Sequence, residues 1–292
     1  MHLIAILLSL SFGCWLRLWA DIGSPEKSPS PCQQASQKSW SQRWQRTLTL
    51  FLLPPCLILL TAFSVVCMGP QGQMIGFQVS SFSYWLAVSF LICAAMIGIQ
   101  QGWQVWQSWQ QMRSCPQLTL MGRPIRLLEV PILFAAQVGL WHSEIAISQG
   151  LLDALDEEHL AAVVQHEQAH QHYRDTFWFF WLAWLRQLTQ WLPNTAALWQ
   201  ELLLLRELRA DCWAAQTVDN LLLAESLLAM VASPAPAEKF CVAFSCPVSR
   251  SRFQERIDAL LSAAEVPPAP RIWSLAWLVL ALLPLATLPL HR

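Results

Sequence analysis

Long apolar runs restrict what this chain can fold into. They cover residues 3–19, 48–68, 84–102 and 271–290. A helix of about 20 apolar residues is long enough to cross the hydrocarbon core of a bilayer. Charged residues make up only 13% of the chain, whereas soluble domains carry about a quarter. The pattern predicts an α-helical multi-pass membrane protein.

The apolar runs divide the chain into three parts. We expect a membrane region at 1–112 with three spans and a polar linker at 20–46, a second domain at 113–265, and a last span at 271–290. The first run lacks the positively charged start of a signal peptide, which favours a retained span. Four Lys or Arg residues lie between spans one and two, and none between spans two and three. The positive-inside rule therefore predicts an N-terminus outside and the second domain in the cytoplasm.

The second domain contains a His-Glu-x-x-His motif at residues 166–170. Asp156 is a suitable N-cap, and the residues after it predict a helix. Residues four apart lie on one helix face, so His166 and His170 can present ring nitrogens to one metal ion, with Glu167 beside the same site. This spacing is typical of a zinc hydrolase in which the glutamate is the general base. The alternative is a solvated helix face that happens to carry two histidines.

A second stretch of the chain contains a candidate for the third metal ligand. Catalytic zinc commonly takes three protein ligands. Glu207 and Asp211 lie one turn apart on a later predicted helix, in an otherwise apolar stripe where an unpaired carboxylate would be costly. We expect Glu207 to bind the metal with His166 and His170, and Asp211 to orient a ligand histidine by accepting a hydrogen bond from its other nitrogen. The site would hold one zinc ion per chain.

These stretches, together with residues 139–152, resemble the M56 family of membrane metallopeptidases and, more distantly, the M48 family. The resemblance runs from about Leu127 to about Ala215 and is architectural elsewhere. It implies a small α+β zincin-like metalloprotease domain on the cytoplasmic side of the bacterial inner membrane. The M56 family includes antibiotic sensors with a penicillin-binding domain after the last span. This sequence stops at His291 and Arg292, so direct β-lactam sensing is not expected.

Extended segments precede the motif helix. Residues 126–130 and 144–148 are short alternating or β-branched runs bounded by Pro, Gly and Ser, which predicts strands of a small sheet beside that helix. Proteases often bind a peptide as an added strand at a sheet edge. The second strand is the candidate edge, and a purely structural strand is the alternative. The candidate edge residues are Glu144, Ile145, Ala146, Ile147 and Ser148.

Three further segments follow the motif. Residues 177–191 are too polar for a lipid-facing span and too apolar for a soluble helix, so we expect them at the bilayer boundary. After Pro193, a single helix from about 196 to 231 would bring Glu207 back to the histidines. A later stretch around Arg256 resembles an arginine-containing helix that follows the catalytic core in the M56 family. An arginine in that stretch, Arg252 or Arg256, would polarise the scissile carbonyl or stabilise the oxyanion, and the alternatives are a salt bridge or a contact with phospholipid.

Together these features predict a membrane-embedded zinc endopeptidase acting on a protein or peptide substrate. The resemblance implies regulatory cleavage of a transcriptional repressor or of the protease itself. Three alternatives remain: quality control of membrane proteins, a signal-transducing protein that binds a repressor without cutting it, and a transport or assembly subunit with a fortuitous motif. The net charge of -1 argues against nucleic acid as a direct partner. The nine cysteines lack the paired spacing of a structural zinc site.

Overall fold

The fold is that of a computed structural model of the chain. It describes residues 2–19, 37–70, 73–74, 77–78, 81–232, 250–262 and 272–290. Most of the predicted linker at 20–46, namely residues 20–36, lies outside these ranges. The same holds for residues 263–265 at the end of the predicted second domain.

Helices account for most of the described residues. In chain order they are α1 (His2–Trp19), α2 (Gln37–Met68), α3 (Ser81–Arg113), α4 (Gln149–Ala154), α5 (Glu157–His172), α6 (Asp175–Leu188), α7 (Thr195–Ala214), α8 (Asn220–Ala232), α9 (Arg250–Leu261) and a C-terminal helix (Ile272–Leu290). The strands are β1 (Gln73–Met74), β2 (Phe77–Gln78), β3 (Gln117–Leu120), β4 (Arg123–Leu128), β5 (Ala135–Val138) and β6 (Glu144–Ser148). The predicted combination of long apolar helices with a small sheet is confirmed at this level.

Three helices, α1, α2 and α3, are long and apolar enough to cross a membrane. They suggest a membrane protein. The prediction that residues 37–46 belong to a linker was wrong, because α2 already begins at Gln37. No Gly or Pro interrupts that segment, and Trp40 and Trp44, one turn apart, stack with ring centroids 5.5 Å apart. This contact supports the polar end of the helix.

Two consecutive prolines, Pro54 and Pro55, lie inside α2. Proline has no N–H, so the carbonyls of Leu50 and Phe51, four residues earlier, have no helical donor. Arg17 of α1 replaces both donors. Its Nε donates to the Leu50 carbonyl and its Nη2 to the Phe51 carbonyl, each at 3.1 Å. One buried guanidinium thus satisfies both carbonyls that the prolines leave open.

The same guanidinium reaches the turn between α6 and α7. Arg17 Nη1 donates to the hydroxyl of Thr195 and, at 3.4 Å, to the carbonyl of Pro193. In return, Asn194 Nδ2 donates to the Arg17 carbonyl at 3.0 Å. Arg17 therefore ties α1 and α2 to the first residue of α7.

The larger sheet has the strand order β3-β4-β6-β5. The pair β4/β6 is parallel, and the other two pairs are antiparallel. The prediction that Glu144–Ser148 forms the edge was wrong, because β6 is paired on both sides. Ile145, Ala146 and Ile147 are all buried, and an unbroken apolar run of this kind is typical of an interior strand. The edges are β3 and β5.

The helix that carries Glu207 packs at the centre of the molecule. Leu202 to Leu205 are fully buried, and α7 packs against α2, α5 and α9. The prediction of a single helix from 196 to 231 was wrong, since α7 ends at Ala214 and α8 begins at Asn220. Residues 217–219 between them are Thr, Val and Asp, which are weak helix formers.

Helix α6 and the C-terminal helix are apolar but are not among the three candidate spans. Trp184 of α6 donates to the Ala94 carbonyl at 2.8 Å, and Gln101 donates to the Phe180 carbonyl at 2.9 Å, so α6 packs along α3. The C-terminal helix packs on α2, where Ala281 joins a small apolar cluster. The location of α6 at the bilayer boundary and the spanning of residues 271–290 stay predictions.

Replacing Arg17 by methionine should destabilise the protein. Two buried carbonyls would lose their donors, each at a cost of about 1–3 kcal/mol. Arg17→Lys should recover part of the loss, because an ammonium lacks the planar fork that reaches both carbonyls. Arg123→Met is the matched control, since Arg123 is exposed. The unfolding midpoint in detergent measures the effect, and equal midpoints for Arg17→Met and Arg123→Met would contradict the assignment.

Candidate metal centre

Helix α5 positions the His-Glu-x-x-His motif. Its N-cap is Asp156, whose carboxylate accepts from the backbone N–H of His159 at 2.9 Å. Glu157 and Glu158 occupy its first turn, where their negative charge interacts favourably with the positive end of the helix dipole. His166, Glu167 and His170 are all buried. Because α5 packs against α7, the motif faces the helix that carries Glu207.

The three predicted metal ligands converge. His166 Nε2 lies 3.2 Å from His170 Nε2 and 3.3 Å from Glu207 Oε2. His170 Nε2 lies 3.7 Å from Glu207 Oε1. Their ligand atoms all fall within 4.8 Å of one another. Two imidazole nitrogens and one carboxylate form a donor set that suits zinc.

The other ring nitrogen of each histidine faces a carboxylate. His166 Nδ1 lies 2.8 Å from Asp211 Oδ1, and His170 Nδ1 lies 2.8 Å from Asp175 Oδ2. The Asp175 contact has hydrogen-bond geometry and favours the His170 tautomer with the proton on Nδ1, which leaves the lone pair on Nε2. Among the described residues, the contact of His166 Nδ1 with Asp211 is close but does not have that geometry. Both Nε2 atoms lie close to Glu207, so the residues present fit a zinc ion.

Sequence reasoning identified Asp211 but missed Asp175 and its partner Arg209. Arg209 Nη2 donates to Asp175 Oδ1, and both side chains are buried. Asp175 begins α6 after a turn in which Arg174 adopts a left-handed conformation, with φ 53°. The sequence did contain a signal for Asp175. His170, like His166, needs an acceptor for its second ring nitrogen, and Asp175 lies only five residues later.

Two further arginines bind the carboxylates of α7. Arg206 Nη2 lies 2.7 Å from Glu207 Oε1, and Arg256 Nη1 lies 3.3 Å from Glu207 Oε2. Arg256 also forms a two-point pair with Asp211, with both contacts at 2.7 Å. Of the roles considered for an arginine in this stretch, the structure shows the salt bridge: Arg256 of α9 pairs with Glu207 and Asp211, and Arg252 pairs with Glu201.

These contacts determine the charge state of the centre. Burial would lower the pKa of His166, but Asp211 and Glu207 outweigh it and raise that pKa to about 10. Burial would raise the pKa of Glu207, yet Arg206 and the neighbouring cations hold it well below its usual value. Burial also opposes ionisation of Asp211, and Arg256 overcomes it to lower that pKa. The metal-free centre therefore holds ionised carboxylates beside a protonated, cationic His166, and a bound zinc ion would displace the proton from its Nε2.

Strand β5 is the sheet edge fixed beside the motif. Gln137 Nε2 of β5 donates to the backbone carbonyl of Glu167 in α5 at 2.9 Å. This hydrogen bond links the strand to the helix at the residue predicted to be the general base. The predicted edge residues in β6 have structural partners instead. Glu144 pairs with Arg126 at 2.6 Å, and the Ser148 hydroxyl accepts from the Leu151 N–H as the N-cap of α4.

Removing the cation of Arg256 should destabilise the zinc-free protein. Arg256→Met would leave Asp211 buried beside fewer positive charges, at a cost of about 3–5 kcal/mol. Arg252→Met on the same helix should cost about 1 kcal/mol or less, because Arg252 is more exposed. Thermal unfolding with a zinc chelator present measures both. Equal losses of thermal stability in Arg256→Met and Arg252→Met would show that the ion pair of Arg256 with Asp211 contributes no more than the more exposed pair of Arg252.

Comparison with known proteins agrees with this chemistry. Residues 131–252 match the model of Peptidase family M48. This segment contains β5, β6 and helices α4 to α8, and therefore both histidines, Glu167 and Glu207. No match was found among the curated proteins or the solved structures. The M56 assignment is not confirmed. The family match supports a metallopeptidase domain of the M48 kind, and M48 peptidases are zinc-dependent.

Proposed function

We propose that this protein is a membrane-embedded zinc endopeptidase with its active site facing the cytoplasm. The observation that carries the proposal is the buried convergence of His166, His170 and Glu207 next to Glu167. The match to Peptidase family M48 and the three long apolar helices support it.

Each residue of the centre has a proposed role. His166, His170 and Glu207 would hold the zinc ion, which when bound lowers the pKa of water and polarises a peptide carbonyl. Glu167 would take a proton from the attacking water and return it to the leaving amine. Asp211 would orient the ring of His166 by accepting from its Nδ1.

The donor count supports catalysis over a structural metal site. Structural zinc sites are closed by four protein ligands, whereas catalytic sites have three. Across the residues that the structure describes, the group has three donors. An acidic side chain immediately beside the ligands, Glu167, has no task in a closed structural site.

We also propose β5 as the strand beside which an extended peptide binds. Its terminal place in the strand order and the contact from Gln137 to Glu167 support this role. Ala136, Gln137 and Val138 are buried, so a peptide would have to displace the segments that cover this edge. Main-chain hydrogen bonds to such an edge hold a peptide extended whatever its side chains.

The distribution of Lys and Arg supports an external N-terminus and a peptidase domain on the cytoplasmic side. The resemblance to the M56 family favours the bacterial inner membrane. For the substrate, the M56 resemblance favours a cytoplasmic transcriptional repressor or the protease itself. Quality control of membrane proteins is the alternative. Cleavage of the purified protein at one site would favour regulation, whereas cleavage of unrelated unfolded membrane proteins would favour quality control.

Zinc content and cleavage test the central proposal. Wild type and Glu167→Gln should each contain about one zinc ion per chain, while Glu207→Ala should lose it. Only wild type should cut, with Glu167→Gln slowed by at least about 100-fold. Glu157→Gln is the matched control, because Glu157 is an exposed residue on the same helix.

Two results would count against this proposal in different ways. A wild-type protein that binds no zinc would remove the metal centre. If wild type binds zinc but cuts neither itself nor added peptides, the alternative of a signal-transducing protein that binds a repressor without cutting it would be favoured.

The edge assignment predicts an effect of peptide backbone methylation. In a peptide that wild type cuts, N-methylation of an amide that pairs with β5 should raise KM about tenfold, because one main-chain hydrogen bond is lost. Methylation of an amide that points away from β5 should have little effect. A scan along the peptide measures this, and the absence of any alternating pattern would contradict binding as an added strand.

A further inference from the structure

The polar end of α2 reaches the metal centre through Trp44. The Arg209 guanidinium lies over the Trp44 ring, with its central carbon 5.2 Å from the ring centroid, and over the Tyr173 ring at 4.0 Å. Trp44 and Arg209 are both buried. A cation over aromatic faces in a buried place is held in position by this stacking.

From Arg209, direct contacts lead to a candidate ligand. Arg209 Nη2 donates to one oxygen of Asp175, and the other Asp175 oxygen lies 2.8 Å from His170 Nδ1. In the part of the chain that the structure describes, Arg209 Nε has no hydrogen-bond partner. The plane of the guanidinium is therefore set by its aromatic neighbours as well as by the contact with Asp175.

The neighbouring residue fixes this part of α2 against the peptidase helices. Arg43 contacts Glu201 of α7 at 2.7 Å and Glu255 of α9 at 2.6 Å. These two ion pairs hold α2 in register with α7 and α9. Trp44, next in the chain, is thereby kept over Arg209.

We propose that Trp44 is a positioning residue of the metal centre, which fixes Arg209 and, through Asp175, the ring of His170. This inference rests on one part of the proposed function, namely that the centre binds zinc, and it does not require that the protein cleaves peptides. Groups that orient a metal-binding histidine commonly change metal affinity by 10- to 100-fold when they are lost. Zinc affinity is therefore the readout, independent of any cleavage.

The test is chelator competition for zinc with the full chain in detergent. Trp44→Leu should weaken zinc binding about tenfold, and Trp44→Phe should restore most of it, because an aromatic face is kept. Trp103→Leu is the matched control. Trp103 is exposed on α3, and its variant should bind zinc about as wild type does.

A double-substitution cycle separates positioning from a general loss of structure. If Trp44 acts through Arg209, Trp44→Leu should cause little further loss of zinc affinity in an Arg209→Met background. Additive losses, an unchanged affinity of Trp44→Leu, or an equal loss in Trp103→Leu would each overturn the inference. Absence of zinc from wild type would instead overturn the proposed function itself, and with it the basis of this inference.

Discussion

Buried negative charge is the constraint on which the rest of the site depends. Glu207, Asp211 and Asp175 are all buried, and an uncompensated buried carboxylate costs several kcal/mol. Each has its own arginine partner, respectively Arg206, Arg256 and Arg209. These arginines come from α7 and α9, and one of their partners lies at the start of α6. Glu207 has its arginine on the same helix, whereas compensation of Asp211 requires α9 to pack on α7 and compensation of Asp175 requires α6 to pack on α7.

This pairing also explains the geometry of the histidines. Arg256 lowers the pKa of Asp211, whereas the hydrogen bond from His170, followed by the charge of Arg209, lowers the pKa of Asp175. Both carboxylates stay ionised, and each lies 2.8 Å from the Nδ1 of one histidine. The two rings are then turned so that their Nε2 atoms lie 3.2 Å apart. The charge network and the donor set are thus one arrangement, in which the cations act on the carboxylates and the carboxylates act on the imidazoles.

The sequence predicted the parts of this site that depend on local geometry. The helical spacing of His166 and His170 and the apolar stripe around Glu207 are properties of single helices, and they could be read directly. The edge position of β5 depends on strand order, and the pairing of Asp175 with Arg209 depends on how α6 returns to α7. The polar start of α2 read as a linker because its partners, Glu201 and Glu255 among them, lie far away in the chain. Each of these misses concerns a contact between distant segments.

The N-terminal apolar helices and the segment that matches Peptidase family M48 share one core. The largest cluster of buried residues contains Trp44 and Phe51 of α2 together with Leu198 and Trp199 of α7, so it crosses the predicted boundary at residue 113. Polar contacts follow the same pattern: Arg17 holds the start of α7, and Trp44 lies over Arg209 near its end. Helix α7 is therefore held at both ends by the N-terminal helices. Helix α7 carries Glu207 and Asp211. A shift of α2 along its axis would therefore reach the candidate metal centre through the contacts of Arg17 and Trp44 with α7.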